Sequence, residues 1–290
     1  MTNKVHVEPV GDVTARFGEG PLSDPTGTTV LWVDITGGAI HRTDTRDGTT
    51  TTAELGGEVA AVFPTSTGSL LAARDHQLIT VNGRPHPVVA EVEPRPRMRL
   101  NDGLTDPAGR VFIGTLHADK VRGTAALYRL DGDRLTPVVP GVTVSNGIAW
   151  SPDGSTVYYA DTPTLRIDRF DYDSATATPH NRRPFADLST AQGRPDGLTV
   201  DEDGCVWVAL ITGGRLHRYT PTGRLDRVVE LPVTHPTSVA FGGRDLSELF
   251  VTSARDPLSA AEAAQQPLAG RLLRLDPGVK GLPTVPAVVA

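Results

Sequence analysis

An all-β chain made of one unit copied six times is the fold this sequence predicts, and three observations predict it. A short polar-glycine opening, a few apolar residues, a turn of the Ser/Asp-Pro-x-Gly type and an apolar or β-branched run recur along the chain. The turn anchors Gly27, Gly68, Gly109, Gly154, Gly204 and, in the loosest copy, Asp245 are spaced 41, 41, 45, 50 and 41 residues apart. Further strand signals follow the copies and run into another Asp/Gly turn. A strand-built period of about forty residues is that of a propeller blade, so the expected architecture is a six-bladed β-propeller, with residues 1–290 as one domain.

The copies run in order. GPLSDPTGTTVLWVD (20–34) is followed by GGAIHRTD (37–44), AVFPTSTGSLLAA (61–73) stands second, and GLTDPAGRVFIGT (103–115) leads to AALYRLDGDRL (125–135). GIAWSPDGSTVYYAD (147–161) leads to LRIDRFDYD (165–173), and GLTVDEDGCVWVAL (197–210) to GGRLHRYTPTGRL (213–225). SVAFGGRDLSELFVTSA (238–254) leads to GRLLRLDPG (270–278). Pro and Gly fix the backbone where strands reverse, and Val, Ile, Trp and Tyr after the turn suit a pleated surface. Alternation in Leu216–Tyr219 puts one face on a neighbouring blade and the other toward water or the next layer. His6–Val10 is expected to add a strand to the last blade, whose own strands end near Leu275, because closing the ring removes an unpaired sheet edge.

Composition narrows the function. A net charge of −6 with no basic run argues against nucleic acid as a main partner. No stretch is apolar enough to span a bilayer, and residues 1–11 lack the apolar core of a secretion signal. A cytoplasmic location, no membrane association and a monomer or weak homo-oligomer are expected. The single cysteine, Cys205, cannot form an internal disulfide and is read as a packing residue of the strand Cys205–Val208.

Four oxygen-bearing residues sit eight positions before a turn anchor: Glu19, Asn101, Asn146 and Asp196. Residues in equivalent places of units arranged about an axis project to one point. Two carboxylates and two carboxamides there make a site for a hard divalent cation such as calcium, zinc, manganese or magnesium. Asn-Gly and Asp-Gly are also favoured turn pairs, but a turn requirement would recur in all six copies, and Ala60 and Thr237 hold the other two places. Glu19 is poor turn chemistry. Three or four protein oxygens leave coordination positions open to water and substrate, which points to catalysis.

Arg99, two residues before Asn101, points the same way in an extended segment and can donate to hydroxyl or carbonyl oxygens. Asp119 in the loop 117–120 could accept from substrate hydroxyls, Asp102 reads as a turn residue or a support to the ligands, and His235 lies near the axis by register. No Gly-x-Ser-x-Gly nucleophile motif is present, and the Gly213-Gly214 and Gly242-Gly243 pairs open no helix.

At these residues the chain resembles the regucalcin/gluconolactonase family, of the senescence-marker-protein type. The matching stretches are GEGP (18–21), RLNDGLTDPAGRVFIGTL (99–116), GVTVSNGIAWSPDGSTVYYADT (141–162), FDYD (170–173), RPDGLTVDEDGCVWVAL (194–210), LPVTHPTSVAFGG (231–243) and VTSARD (251–256). They keep one order over nearly the whole length. The resemblance implies a six-bladed propeller with one catalytic divalent cation that hydrolyses sugar lactones. It implies Glu19, Asn146 and Asp196 as metal ligands, Asp196 also as the base, and Arg99 and Asn101 as substrate contacts. Spacing alone made Asn101 a ligand; the resemblance moves it beside the metal. The loop after Leu116 is shorter than in animal members, with His117 and Asp119 where an acidic pair is familiar.

The expected partner is therefore a small lactone, opened to the aldonic acid. Two other readings stand beside it. One is a metal-dependent hydrolase or cyclase acting on a non-sugar lactone or ester of a bacterial secondary pathway. The other is a non-enzymatic calcium-binding propeller, for which the protein would enclose the ion fully.

Overall fold

The turn anchors reverse the chain as their spacing predicts. Gly27, Gly68, Gly109, Gly154 and Gly204 have φ between 69° and 85°, a region glycine enters without a Cβ clash. In the sixth copy Leu246 takes the left-handed conformation beside the Asp245 anchor. The computed structural model describes residues 5–24 and 26–289. Its strands form six four-stranded antiparallel sheets, the blades of a β-propeller.

The innermost strands of blades 1 to 6 are Gly18–Ser23, Val59–Pro64, Met98–Thr105, Ser145–Trp150, Arg194–Val200 and Pro236–Gly242. Each contacts its counterpart in the neighbouring blades, so the six surround a common axis. Third strands form where the sequence signals them, at Ala39–Asp44, Ala125–Asp131, Arg166–Asp173, Arg215–Tyr219 and Leu272–Leu275. Blade 2 makes its third strand from Gln77–Val81, for which no comparable signal was read.

Six hydrophobic clusters hold the ring, one at each blade–blade junction. Leu216–Tyr219 illustrates the packing. Leu216 joins the cluster between blades 5 and 6, and Tyr219 the one between blades 4 and 5. The outcome of its alternation is the next layer and not water: all four residues are buried. Arg218 keeps its charge inside by pairing with Asp201 and Asp226, each at 2.8 Å.

The ring closes through the N-terminal strand, as expected. Val7–Val10 pairs antiparallel with Leu272–Leu275 on the edge of blade 6, while His6 stays outside the strand. Pro9 lies in this edge strand, where its missing N–H can face away from the ladder, and Arg274 pairs with Glu8 at 2.6 Å.

Two features carry no sequence expectation. Residues 280–288 cross one end of the axis: the Glu202 N–H donates to the Lys280 carbonyl, Thr105 Oγ1 to the Val285 carbonyl, and the Ala287 N–H to the Pro64 carbonyl. A short helix, Ala260–Gln265, interrupts blade 6 with Ser259 and Glu262 forming a capping box. No helix among the described residues is long and apolar enough to cross a membrane.

Candidate metal centre and active site

The four oxygen-bearing residues lie within strands, not in turns. Each innermost strand carries one residue more than its partner at the same level: Glu19 to Leu22 opposes Val33 to Leu31, Leu100 to Gly103 opposes Thr115 to Ile113, Ser145 to Ile148 opposes Asp161 to Tyr159, and Pro195 to Leu198 opposes Leu210 to Val208. An extra residue is a β-bulge, which bends a strand and re-aims a side chain. Blades 2 and 6 bulge at Ala60 and Thr237 too. The turn alternative therefore falls, and the six places are equivalent in space as in spacing.

Three of the glycines after the candidate residues serve close approach, whereas Gly20 takes φ 50° and a Cβ there would meet nothing nearer than 3.9 Å. Gly103, Gly147 and Gly197 have no positive φ. A Cβ on Gly147 would lie 2.6 Å from both the Asp196 carbonyl oxygen and the Leu198 nitrogen of the next blade. Gly147→Ala is expected to cost roughly 1–3 kcal/mol and to weaken cation binding by displacing Asp196. Thermal melting and calorimetric titration with manganese test this; a variant matching wild type in both would show that the close approach is dispensable.

One cavity of about 320 Å³ brings the candidates together: Glu19 from blade 1, Arg99 and Asn101 from blade 3, Asn146 from blade 4 and Asp196 from blade 5. Glu19, Asn101, Asn146 and Asp196 are each at most 7% exposed. Glu19 Oε2 accepts from the Gly20 N–H at 2.9 Å, and Asn101 Nδ2 donates to the Ser145 carbonyl at 2.8 Å. Asn146 Nδ2 donates to Thr162 Oγ1 at 3.0 Å, leaving its Oδ1 free. In blade 6 the Thr237 hydroxyl is spent on the Gly18 carbonyl at 2.6 Å.

A second tier lies two residues earlier, at Phe17, Glu58, Arg99, Val144, Arg194 and His235. All but His235 line the cavity. Arg99 Nη1 donates to the Leu100 carbonyl and to Asn101 Oδ1, both at 2.8 Å, and its Nε faces Glu58 at 3.4 Å. Asp34 accepts from the Phe17 N–H, Asp75 from the Glu58 N–H and Asp161 from the Val144 N–H, each at 2.9 Å. These three acids position the entry of three innermost strands. Sequence reading missed them although each stands seven residues after its turn glycine.

Asp119 does not line the cavity. Its carboxylate turns to Arg97 at 2.5 Å, and Ala118 and Lys120 of the same loop face inward. Asp102 faces a narrow waist of the axis below the four residues, with its Oδ1 accepting from the Gly103 N–H at 2.7 Å. Lys120, Arg194 and Thr162 were not singled out from the sequence. Lys120 and Thr162 lie outside the strands, whereas Arg194 repeats Arg99 two residues before its candidate ligand, a signal the sequence carries.

Electrostatics at the base of the cavity are unfavourable to an empty site. Burial pushes Glu19 well above the usual carboxylate range, and the Asp196 and Asp102 charges add to it. Asp196 is likewise raised, by burial first and then Asp102, with Asn146, Lys120 and Arg99 opposing. Burial lifts Asp102 to about 6. Asn146 Oδ1 and Asp196 Oδ1 are buried without any hydrogen-bond partner, a cost of roughly 1–3 kcal/mol for each such group.

Among the described residues no group of three or more His, Cys, Asp and Glu side chains could hold a metal ion. A cation here would need the Asn146 carboxamide beside the carboxylates. Two orphaned oxygens and two mutually repelling acids form a hard, anionic donor set that fits a divalent ion.

The model of the SMP-30/Gluconolactonase/LRE-like region matches residues 17–255. The chain belongs to this family. Within the SMP-30/gluconolactonase family, it is 36% identical to regucalcin of Gallus gallus over 297 residues, covering 98% of this chain and 99% of that protein. It is 37% identical to 6-deoxy-6-sulfogluconolactonase of Pseudomonas putida over 265 residues, covering 88% of this chain and 89% of that one. The structure of a calcium-binding regucalcin from Agrobacterium tumefaciens superposes with a TM-score of 0.91 at 28% identity, covering 99% of this chain and 98% of that one.

Proposed function

We propose that this chain is a divalent-cation-dependent lactonase that opens a sugar lactone to its aldonic acid. The observation that carries the reading is the convergence of Glu19, Asn146 and Asp196, with two unpartnered oxygens, at the base of a cavity whose wall includes Arg99 and Asn101. The name of the Pseudomonas putida relative, a sugar lactonase, supports the substrate class, and the calcium-binding regucalcin supports the ion.

Glu19, Asn146 and Asp196 would hold the ion. A bound cation supplies Lewis-acid polarisation of the ester carbonyl and a lowered water pKa. Arg99 and Asn101, held in place by the Leu100 and Ser145 carbonyls, orient the substrate through their remaining N–H groups. Asp196 accepts the proton of the attacking water and returns it to the ring oxygen as the acyl C–O bond breaks. Its burial keeps the carboxyl a stronger base than an exposed aspartate, which offsets the loss of basicity on ligation. One oxygen would serve the ion and the other the proton.

An open cavity of about 320 Å³ also argues for this reading over a purely calcium-holding propeller, since an enclosed ion leaves no room for substrate. Acid release from γ- and δ-aldonolactones, followed with a pH indicator in the presence of each of calcium, zinc, manganese and magnesium, is the test. Turnover of at least one aldonolactone is expected. Activity confined to bulky non-sugar esters would favour the other hydrolase reading, and no activity on either would leave only the binding protein.

A further inference from the structure

We propose that Lys120 and Arg194 are specificity-determining residues that recognise an anionic substituent carried by the lactone at a point remote from its ester. This rests on the lactonase reading for the chemistry, and on the cavity alone for the recognition.

Arg194 and Arg99 occupy the same place in their blades, two residues before Asp196 and Asn101. Their engagements differ. Arg99 is anchored: its Nη1 and Nε go to Leu100, Asn101 and Glu58, and its side chain is 16% exposed. Arg194 lines the same cavity and, among the described residues, makes no ion pair or side-chain hydrogen bond. Lys120 also lines the cavity without an acidic partner, because Asp119 beside it is taken by Arg97. Two cations thus face one cavity with no direct ion pair among the described residues, although Lys120 is near enough to the buried Asp196 to favour its charged form.

The backbone presents both. Lys120 has φ 53° and Thr212, which follows the strand partner of Arg194, has φ 66°. Left-handed backbone at residues other than glycine is strained and persists where surrounding contacts impose it, often at binding sites. Here the Lys120 N–H donates to the His117 carbonyl at 2.7 Å and the Ala118 N–H to the Arg97 carbonyl at 2.8 Å.

The cavity lining mixes charged and apolar residues. Lys120 comes from blade 3 and Arg194 from blade 5, on either side of Pro163 of blade 4, while Phe17 and Ile35 of blade 1 form an apolar wall. A substrate whose ester reaches Asp196 can extend toward the two cations. A guanidinium and an ammonium together suit a phosphate, sulfonate or carboxylate.

The test compares gluconolactone with 6-phosphogluconolactone and its 6-sulfo counterpart as substrates, and the neutral alditol glucitol with its 6-phosphate and 6-sulfo counterparts as calorimetric ligands in the presence of manganese. Wild type is expected to prefer the anionic member at least tenfold in each series. In Lys120→Ala/Arg194→Ala the anionic-to-neutral ratio falls by about tenfold or more, and Lys120→Arg restores most of what Lys120→Ala alone loses. Binding preference that survives without any lactone hydrolysis supports this recognition while removing the lactonase reading. Equal treatment of neutral and anionic ligands by wild type, or a ratio unmoved in the double variant, overturns it. A preference limited to phosphate, or to sulfonate, identifies the anion.

Discussion

Asp196→Asn lowers kcat/KM for sugar lactones by about 10³-fold while raising the melting temperature of the cation-free protein. The two effects have one cause. Asp196 is buried beside Glu19 and Asp102, so its charge is costly whenever no cation is present. Each pH unit by which a carboxyl is raised corresponds to about 1.4 kcal/mol of penalty on its charged form at neutral pH. Asparagine keeps the shape and removes the charge, so the chelated variant melts higher, by roughly 2–4 °C for each kcal/mol recovered. The same substitution removes the proposed cation ligand and proton acceptor. Lactone assays and melting curves in chelator read both; an active variant, or one whose chelated form melts lower than wild type, would separate Asp196 from these roles.

Chelation is expected to abolish turnover and to make stability depend on pH in a defined direction. In the folded, cation-free chain Glu19 and Asp196 retain protons that the unfolded chain releases near pH 4. Raising the pH above that range therefore favours unfolding. The decline continues through the interval up to the raised values, with Asp102 contributing as far as about pH 6. An ion at a hundred times its Kd adds about 2.7 kcal/mol, roughly 5–10 °C, and flattens the dependence. Melting curves across pH with and without the ion, beside an assay of the same samples, are decisive. Hydrolysis undiminished after exhaustive chelation would remove the cation from the mechanism.

Much of the fold was legible because the propeller repeats its punctuation. Gly27, Gly68, Gly109, Gly154 and Gly204 announce turns through a conformation few other residues tolerate. Counting back from them found the places of Glu19, Asn101, Asn146 and Asp196 without knowledge of the pairing. The bulges at those places were not legible, since an extra residue appears only when two strands are laid side by side. Nor was the role of the following glycines: Gly147 is small because Asp196 of another blade lies against it, a fact about distant residues. Asp119 turned away for a similar reason, its carboxylate finding Arg97 22 residues earlier. Lys120, in a loop, gave no repeat signal; Arg194 did, since it stands two residues before Asp196 as Arg99 stands before Asn101.

The strand that completes the propeller has a further consequence for how the molecule is made. Val7–Val10 leaves the ribosome ahead of every blade, and its partner Leu272–Leu275 emerges after five blades are complete. Throughout synthesis that early segment waits unpaired while the growing sheet stack offers a bare flank, the situation in which nascent β proteins associate wrongly. Closing the circle joins residues 262 to 268 positions apart (272−10 and 275−7), a contact order that slows the last folding step. The candidate site spread over blades 1, 3, 4 and 5 thus becomes durable only once the last blade has emerged.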